Sequence, residues 1–266
     1  MELPIYQVDA FSGEVFGGNP AAVCPLKEPL DARFMQAIAE ENNLSETAFF
    51  HPEGQGFRLR WFTPVSEIDL CGHATLASAW VLFEELGYPR AEIRFETQSG
   101  TLVVSRSASD AGLLRMDFPT WTPKPVTPPQ ALLDGLRGPA PVEVLATRDW
   151  LVVYEKEEDV LRLNPDMEPL KTLDRLGVIV TAKGGPASGA DFVSRFFVPG
   201  EGIPEDPVTG SAHSTLIPYW SPRLGKQAMR AVQLSRRRGE LFCELNGERV
   251  AISGRAVLYM RGSICV

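Results

Sequence analysis

The segment covering residues 73–86 is apolar on nearly every side of a helix, and this constrains the fold more than any other feature. Its apolar residues are Ala74, Leu76, Ala77, Ala79, Trp80, Val81, Leu82 and Phe83. A helix of this kind must be covered all round, and Gly87 is a suitable residue to end it. Strand-like runs flank the segment, so we predict a strongly curved sheet wrapped around a central helix.

The second half of the chain repeats this plan. Another apolar helix is predicted to start near Gly210 and to run toward Tyr219, again among strand-like runs. Between the halves, residues 119–129 contain five prolines and are predicted to be a linker. A doubly wound α/β fold fits less well, because the strands outnumber the helices and do not alternate with them.

The predicted fold class is therefore α+β, with two pseudo-symmetric halves. Each half is a curved, mostly antiparallel sheet around a central helix. The predicted domains are residues 1–118 and residues 130–254, and a C-terminal strand within residues 255–266 is expected to return to the first half.

Local patterns predict further elements. Asp31 is a suitable N-cap for a helix that ends near residue 41, and residues 11–22 form a predicted loop rich in Gly, Asn and Pro. A turn is predicted at Asn246-Gly247. The predicted strands are residues 3–8, 46–50, 57–61, 92–97, 101–105, 113–118, 142–146, 150–154, 177–181 and 192–198.

Composition limits the classes of function. The 266 residues are 44% hydrophobic, and 26 basic against 34 acidic residues leave a net charge of −8, which disfavours a nucleic-acid partner. The N-terminus lacks a signal-peptide pattern, and no apolar run reaches the length of a membrane span. The four cysteines form no CxxC pair. We expect a cytoplasmic protein without a membrane or nucleic-acid partner.

Two short turns sit where the predicted central helices begin, at Gly72-His73 and at Gly210-Ser211. First-turn N–H groups of a helix are unpaired and lie at the positive end of its dipole, while glycine lets a ligand approach the backbone. Either the glycines serve only tight turns, or the two turns bind an anion such as a carboxylate. Their repetition in both halves favours anion binding.

Several side chains near these turns can carry a proton. His73 titrates near neutral pH, although a packing or capping role is the common alternative. Glu46 lies at the start of an apolar strand, where partial desolvation raises a carboxyl pKa, and it could equally be a surface charge. Asp206 either caps the Gly210 turn or acts as an acid or base. His213 is predicted to be buried structure.

Cys71 is a further candidate, because a helix N-terminus lowers a thiol pKa. No cysteine stands at the equivalent place in the second half, so a symmetric two-thiol racemase is disfavoured. Three histidines without HExxH spacing argue against a catalytic metal.

Four motifs, in this order, resemble the phenazine biosynthesis PhzF-like isomerase family. They are residues 17–23 (GGNPAAV), 43–49 (NLSETAF), 71–75 (CGHAT) and 206–212 (DPVTGSA). The resemblance implies a diaminopimelate epimerase-like fold with its site in the cleft between the halves. It also implies a homodimer that needs no cofactor.

The resemblance further implies roles for individual residues. Glu46, His73 and Asp206 correspond to the catalytic acid/base and proton-relay positions. The substrate-binding positions correspond to Asn19, Ser45, Gly72, Gly210 and Ser211.

The expected function is that of a cofactor-independent isomerase, which moves a proton on carbon of a small carboxylate-bearing metabolite. Two alternatives stay open. One is an amino-acid epimerase that uses Cys71 with an unlike partner. The other is a non-catalytic, ligand-binding member of the family.

Overall fold

The structure is a computed structural model that describes residues 1–107, 110 and 112–266. It divides into two compact units, the N unit (residues 1–118 and 251–266) and the C unit (residues 119–250). The strands are β1 (Glu2–Ala10), β2 (Asn19–Pro25), β3 (Glu46–Glu53), β4 (Gly56–Phe62), β5 (Glu67–Ile68), β6 (Glu92–Thr97), β7 (Gly100–Arg106), β8 (Leu114–Pro119), β9 (Lys124–Pro125), β10 (Glu143–Ala146), β11 (Trp150–Val153), β12 (Val178–Lys183), β13 (Phe192–Val198), β14 (Ile203–Asp206), β15 (Ala228–Gln233), β16 (Gly239–Asn246), β17 (Arg249–Gly254) and β18 (Ala256–Cys265). The helices are α1 (Ala32–Asn42), α2 (Gly72–Trp80), α3 (Gln130–Leu136), α4 (Glu157–Arg162), α5 (Met167–Leu170) and α6 (His213–Leu224).

The strands of the N unit pair in the order β18-β1-β2-β3-β4-β6-β7-β8. The β2–β3 and β4–β6 pairs are parallel, and the other pairs in this order are antiparallel. Each parallel pair needs a crossover, which α1 supplies before β3 and α2 supplies before β6.

The C unit repeats this connectivity. Its order β10-β11-β12-β13-β15-β16 alternates antiparallel and parallel pairs in the same succession as β1-β2-β3-β4-β6-β7. Here α4 and α5 lie in the first crossover and α6 lies in the second. The two units therefore share one topology, and the predicted α+β fold class with a repeated half is confirmed.

The predicted apolar helix of the first half is α2, and all residues from Gly72 to Ala79 are buried. A π-helical turn, Val81–Glu85, continues it, and Gly87 follows with φ +63°. The hydroxyls of Thr75 and Ser78 donate to the carbonyl oxygens four residues earlier, at 2.5 and 2.7 Å. These bonds let two polar side chains lie inside a fully covered helix.

The second central helix, α6, begins at His213 and not near Gly210 as predicted. The carbonyls of Gly210 and Ser211 accept bonds from residues three positions later, so the chain forms a tight turn before the helix starts. Inside α6, Pro218 cannot donate to the Ser214 carbonyl. The N–H of Trp121 donates there instead, at 2.8 Å, which fixes Trp121 against the helix.

Two other local predictions need correction. The predicted loop at residues 11–22 ends early, because β2 begins at Asn19 and pairs with both β1 and β3. Residues 21–24 of β2 are buried. The two glycines and the proline just before them are typical of a loop, so the strand was not predicted. The proline-rich linker contains the short strand β9, which pairs with the edge of β10.

The helix and turn signals were more reliable. Asp31 caps α1 through a 2.8 Å bond from Arg33 N–H, and Gly247, with φ +63°, lies in the turn before β17. Within the described residues, no helix has both the length and the hydropathy of a membrane span.

Candidate active site

Asn19 is fully buried at the first position of β2. The β1–β2 register places it opposite Ala10, and Gly18 before it has φ +63°. A side chain at Gly18 would come within 2.1 Å of the Ala10 carbonyl oxygen, so only glycine fits this turn. From there, Asn19 Nδ2 lies 3.1 Å from His73 Nδ1.

Glu46 reaches the same histidine from the other side. The parallel β2–β3 register aligns it with Ala21, and its Oε2 lies 2.9 Å from His73 Nε2. Glu46 is 8% exposed and His73 is 3% exposed, so this ion pair is largely removed from water. Three of the residues proposed from sequence therefore converge, although they come from three different elements.

Burial raises the pKa of the Cys71 thiol to about 11, and the negative charge of Glu46 adds to this. The expected lowering by the helix N-terminus is therefore wrong, and Cys71 is a neutral thiol at neutral pH. Its Sγ lies 3.6 Å from His73 Nδ1.

Burial alone lowers the pKa of His73, but its neighbours Cys71 and Glu46 raise it well above the usual range. Since the thiol is neutral, we attribute this rise to the Glu46 carboxylate. Asn19 can serve both protonation states of the ring. Its amide donates through Nδ2 to a neutral Nδ1 and, turned by 180°, accepts through Oδ1 from the protonated ring.

Glu46, Cys71 and His73 also form a set of metal-ligating types. Their ligand atoms lie within 4.8 Å of one another. Thiolate, imidazole and carboxylate are all zinc ligands, so these residues could hold such an ion. Spacing along the chain, from which no metal was expected, cannot reveal this grouping, because Glu46 lies 25 residues before Cys71.

In the C unit, Asp206 is held in a buried network. Its Oδ2 accepts a 2.5 Å bond from Thr209 Oγ1, while Gln233 Nε2 donates to the Asp206 carbonyl oxygen at 2.8 Å. Gln233 Oε1 accepts from Thr209 N–H at 2.9 Å. Asp206 therefore supports the turn before α6, as the capping alternative expected. Thr209 and Gln233 were not anticipated from the sequence.

The remaining predicted residues occupy the starts of elements. Gly72 is the first residue of α2, Gly210 lies in the turn before α6, and Ser45 lies half-buried before β3. Ser211 Oγ accepts a 3.1 Å bond from Arg148 Nη2. Arg148 was not predicted from the sequence. One feature of the sequence could have indicated it. The polar pair Arg148-Asp149 directly precedes an apolar strand, just as Glu46 begins the apolar strand β3.

His213 is fully buried, as predicted. Its Nδ1–H donates to the Thr209 carbonyl at 2.9 Å, and burial lowers its pKa to about 4. The unfolded chain, with a pKa near 6.5, binds the extra proton first as the pH falls. At 1.36 kcal/mol per pKa unit, acidification from 6.5 to about 4 should cost about 3 kcal/mol of stability.

We therefore expect the urea midpoint to fall more steeply below pH 6.5 in the wild type than in His213→Asn, which keeps a donor to Thr209. His73 has the opposite sign, because its raised pKa contributes stability below pH 6.5 that is lost as the pH rises. Parallel midpoint curves for wild type and His213→Asn between pH 7 and 4 would contradict this prediction.

Comparisons with known proteins assign the chain to a family. The family model described as "Phenazine biosynthesis-like protein" matches residues 8–262. An uncharacterised isomerase of Pseudomonas aeruginosa is 53% identical over 264 residues, covering 99% of each chain. The crystal structure of a PhzF-family protein from Enterococcus faecalis is 46% identical, with TM-score 0.94 and full coverage of both chains.

A more distant structure supports the fold alone. A probable proline racemase from Agrobacterium radiobacter has TM-score 0.65 at 11% identity, covering 99% of this chain and 93% of that one. Since the family model and the 53% identical relative each span nearly the whole chain, this protein belongs to the phenazine biosynthesis-like, PhzF family.

Proposed function

We propose that this protein is a cofactor-independent isomerase that moves a proton on carbon of a small carboxylate-bearing metabolite. The observation that carries the proposal is the buried Glu46–His73 ion pair at the start of α2. The name of the Pseudomonas aeruginosa relative, an uncharacterised isomerase, is consistent with it.

Glu46 is the proposed general base. Its carboxylate takes a proton from the carbon beside the substrate carboxylate, and the same group returns the proton at the new position. The imidazolium of His73 holds Glu46 in place and offsets negative charge that develops on the substrate. Asn19 keeps the ring in position through its contact with Nδ1.

The start of α2 supports the developing enolate. The first N–H groups of a helix have no acceptor within the helix, and we propose that those of Gly72 and His73 at the start of α2 donate to a ligand oxygen. We further propose that Ser45, Gly72, Gly210 and Ser211 bind the substrate and that Asp206 relays a proton. Homodimer formation and a cytoplasmic location remain part of the proposal.

The test is exchange of substrate hydrogen in D₂O. The purified protein is incubated with a panel of small carboxylates, and loss of each C–H signal is followed by proton NMR. An isomerase of this type should incorporate deuterium into at least one compound. If compounds bind but none exchanges, the non-catalytic, ligand-binding alternative is favoured instead.

The Cys71 contact favours one second candidate. A neutral thiol 3.6 Å from His73 could donate a proton to the face opposite a base, which would make the protein an epimerase. We predict instead that Cys71→Ala retains the exchange rate within about threefold, since Glu46 can both remove and return the proton. NMR exchange rates check this, and a loss of 100-fold or more would favour the epimerase.

Thiol labelling tests the protonation state of Cys71 independently of the exchange rate. Cys24, Cys71 and Cys243 are buried and Cys265 is exposed. At pH 7.5 we expect Cys265 to react quickly with iodoacetamide and Cys71 slowly, because thiolates are the reactive form. Mass spectrometry of peptides identifies the labelled thiol, and Cys265→Ser is the control.

A further inference from the structure

Arg148 lies just before β11 and touches a residue of the predicted substrate-binding set. Its Nη2 donates to Ser211 Oγ at 3.1 Å, and its Nε and Nη2 lie 3.3 and 3.2 Å from Asp149 Oδ2. We propose that Arg148 and Ser211 form a carboxylate-binding site in the C unit, in which Arg148 selects ligands by charge. This inference rests on the proposed function, because the carboxylate it binds is that of the substrate.

The shared topology of the two units points to this residue. In the N unit, Asn19 at the start of β2 contacts His73, which follows Gly72 at the start of α2. In the C unit, Arg148 lies two residues before the corresponding strand, β11, and contacts Ser211, which follows Gly210 in the turn before α6. The donor–acceptor distance is 3.1 Å in both units. The fold therefore places a side-chain donor at a corresponding position in both units. The donor is the neutral Asn19 in the N unit and the cationic Arg148 in the C unit.

Arg148 shares its acidic neighbour, Asp149, with a second arginine. Arg148 and Arg175 both act on the buried carboxyl of Asp149. One carboxylate that faces two guanidinium groups cannot neutralise both. A bound anion would supply a second negative charge beside Arg148.

The Arg148 guanidinium is held in position by an aromatic ring. It stacks over the Trp121 ring at 4.7 Å, and Trp121 is itself fixed by its N–H bond to the Ser214 carbonyl. The Arg148 side chain is 32% exposed, and among the described residues its Nη1 makes no hydrogen bond. Nη1 can therefore donate to one oxygen of a carboxylate, and the Ser211 hydroxyl, whose oxygen accepts from Arg148, can donate its hydrogen to the other.

Benzoate is a suitable probe, with benzamide as its neutral counterpart and inorganic phosphate as an alternative anion. Binding to the full chain is measured by isothermal titration calorimetry. The wild type should bind benzoate at least tenfold more tightly than benzamide or phosphate. Arg148→Lys keeps the charge but cannot contact Asp149, Ser211 and a ligand at the same time as the planar guanidinium can, so we expect benzoate affinity to fall about 10- to 100-fold.

Arg223→Lys is the matched control. Arg223 also stacks on an aromatic ring, that of Tyr219, and also pairs with an acid, Glu143, in the same unit. The Arg223→Lys substitution should leave the benzoate affinity within twofold of the wild type. Ser211→Ala is a second variant that removes only a hydroxyl, and it should weaken benzoate severalfold while thermal unfolding stays that of the wild type.

The outcomes separate this inference from the proposed function, because binding is measured without turnover. If benzoate and benzamide bind equally, or if Arg148→Lys and Ser211→Ala both bind benzoate like the wild type, the site is refuted even when deuterium exchange is found. Tighter binding of phosphate than of benzoate would refute carboxylate selectivity. Selective loss in the Arg148 and Ser211 variants supports the site whether or not exchange is detected.

Discussion

Replacing Glu46 by Gln is expected to lower the rate of deuterium incorporation by about 10²- to 10⁴-fold, the usual contribution of a general base. Gln has nearly the same shape but cannot accept a proton from carbon. The initial exchange rate of the best substrate, followed by NMR, measures the loss. If wild type and Glu46→Gln exchange every accepted substrate at equal rates, Glu46 is not the base.

Two further readouts separate lost chemistry from lost structure. Glu53→Gln alters an exposed glutamate at the other end of the same strand and should exchange like the wild type. In Glu46→Gln, His73 loses the carboxylate 2.9 Å from its Nε2, so the pKa of the ring should fall. Titration of the His73 ring protons by NMR detects this change and is independent of substrate. An unchanged histidine titration would contradict the ion pair.

Gly18→Ala is expected to destabilise the protein by about 3 to 5 kcal/mol and to abolish most of the exchange activity. The new Cβ would lie 2.1 Å from the Ala10 carbonyl oxygen at a residue whose φ is +63°. Because backbone must move to relieve this overlap, Asn19 would shift away from His73. Urea unfolding and deuterium exchange measure the two effects.

Gly87→Ala is the matched control for conformation without crowding. Gly87 has the same φ of +63°, but no atom lies within 4 Å of the position of an added Cβ. It should cost about 1 to 2 kcal/mol, the penalty of the left-handed conformation alone. Equal losses in the two variants would show that the overlap at Ala10 is unimportant.

Hydrophobic pattern was sufficient to predict the central feature of each unit. The apolar segment at residues 73–86 is α2 with its π-helical extension, and it is buried as a helix without a polar face must be. The limits of pattern appear at Asn19 and at His213. Residues from Asn19 onward have a loop-like sequence but form β2, because they pair with both β1 and β3. A tight turn at Gly210 and Ser211 moves the start of α6 to His213.

The candidate site was only partly readable from sequence. Glu46 and His73 were named from their residue types, their places in the chain and the family resemblance. Their 2.9 Å contact depends on how β3 packs against α2, which no local pattern encodes. Arg148 was missed because a lone arginine before a strand has no meaning until the fold brings it to Ser211, 63 residues away.

The sequence by itself determined the secondary structure of the central helices, the repeat of the fold and the family, because these depend on residue periodicity and on short contiguous motifs. Only the tertiary structure decided the protonation states of Cys71 and His73. Desolvation raises the pKa of Cys71 to about 11, against the local effect of the helix N-terminus, and Glu46 raises that of His73. Both effects depend on burial and on distances of a few ångströms between residues far apart in the chain, which folding alone brings together.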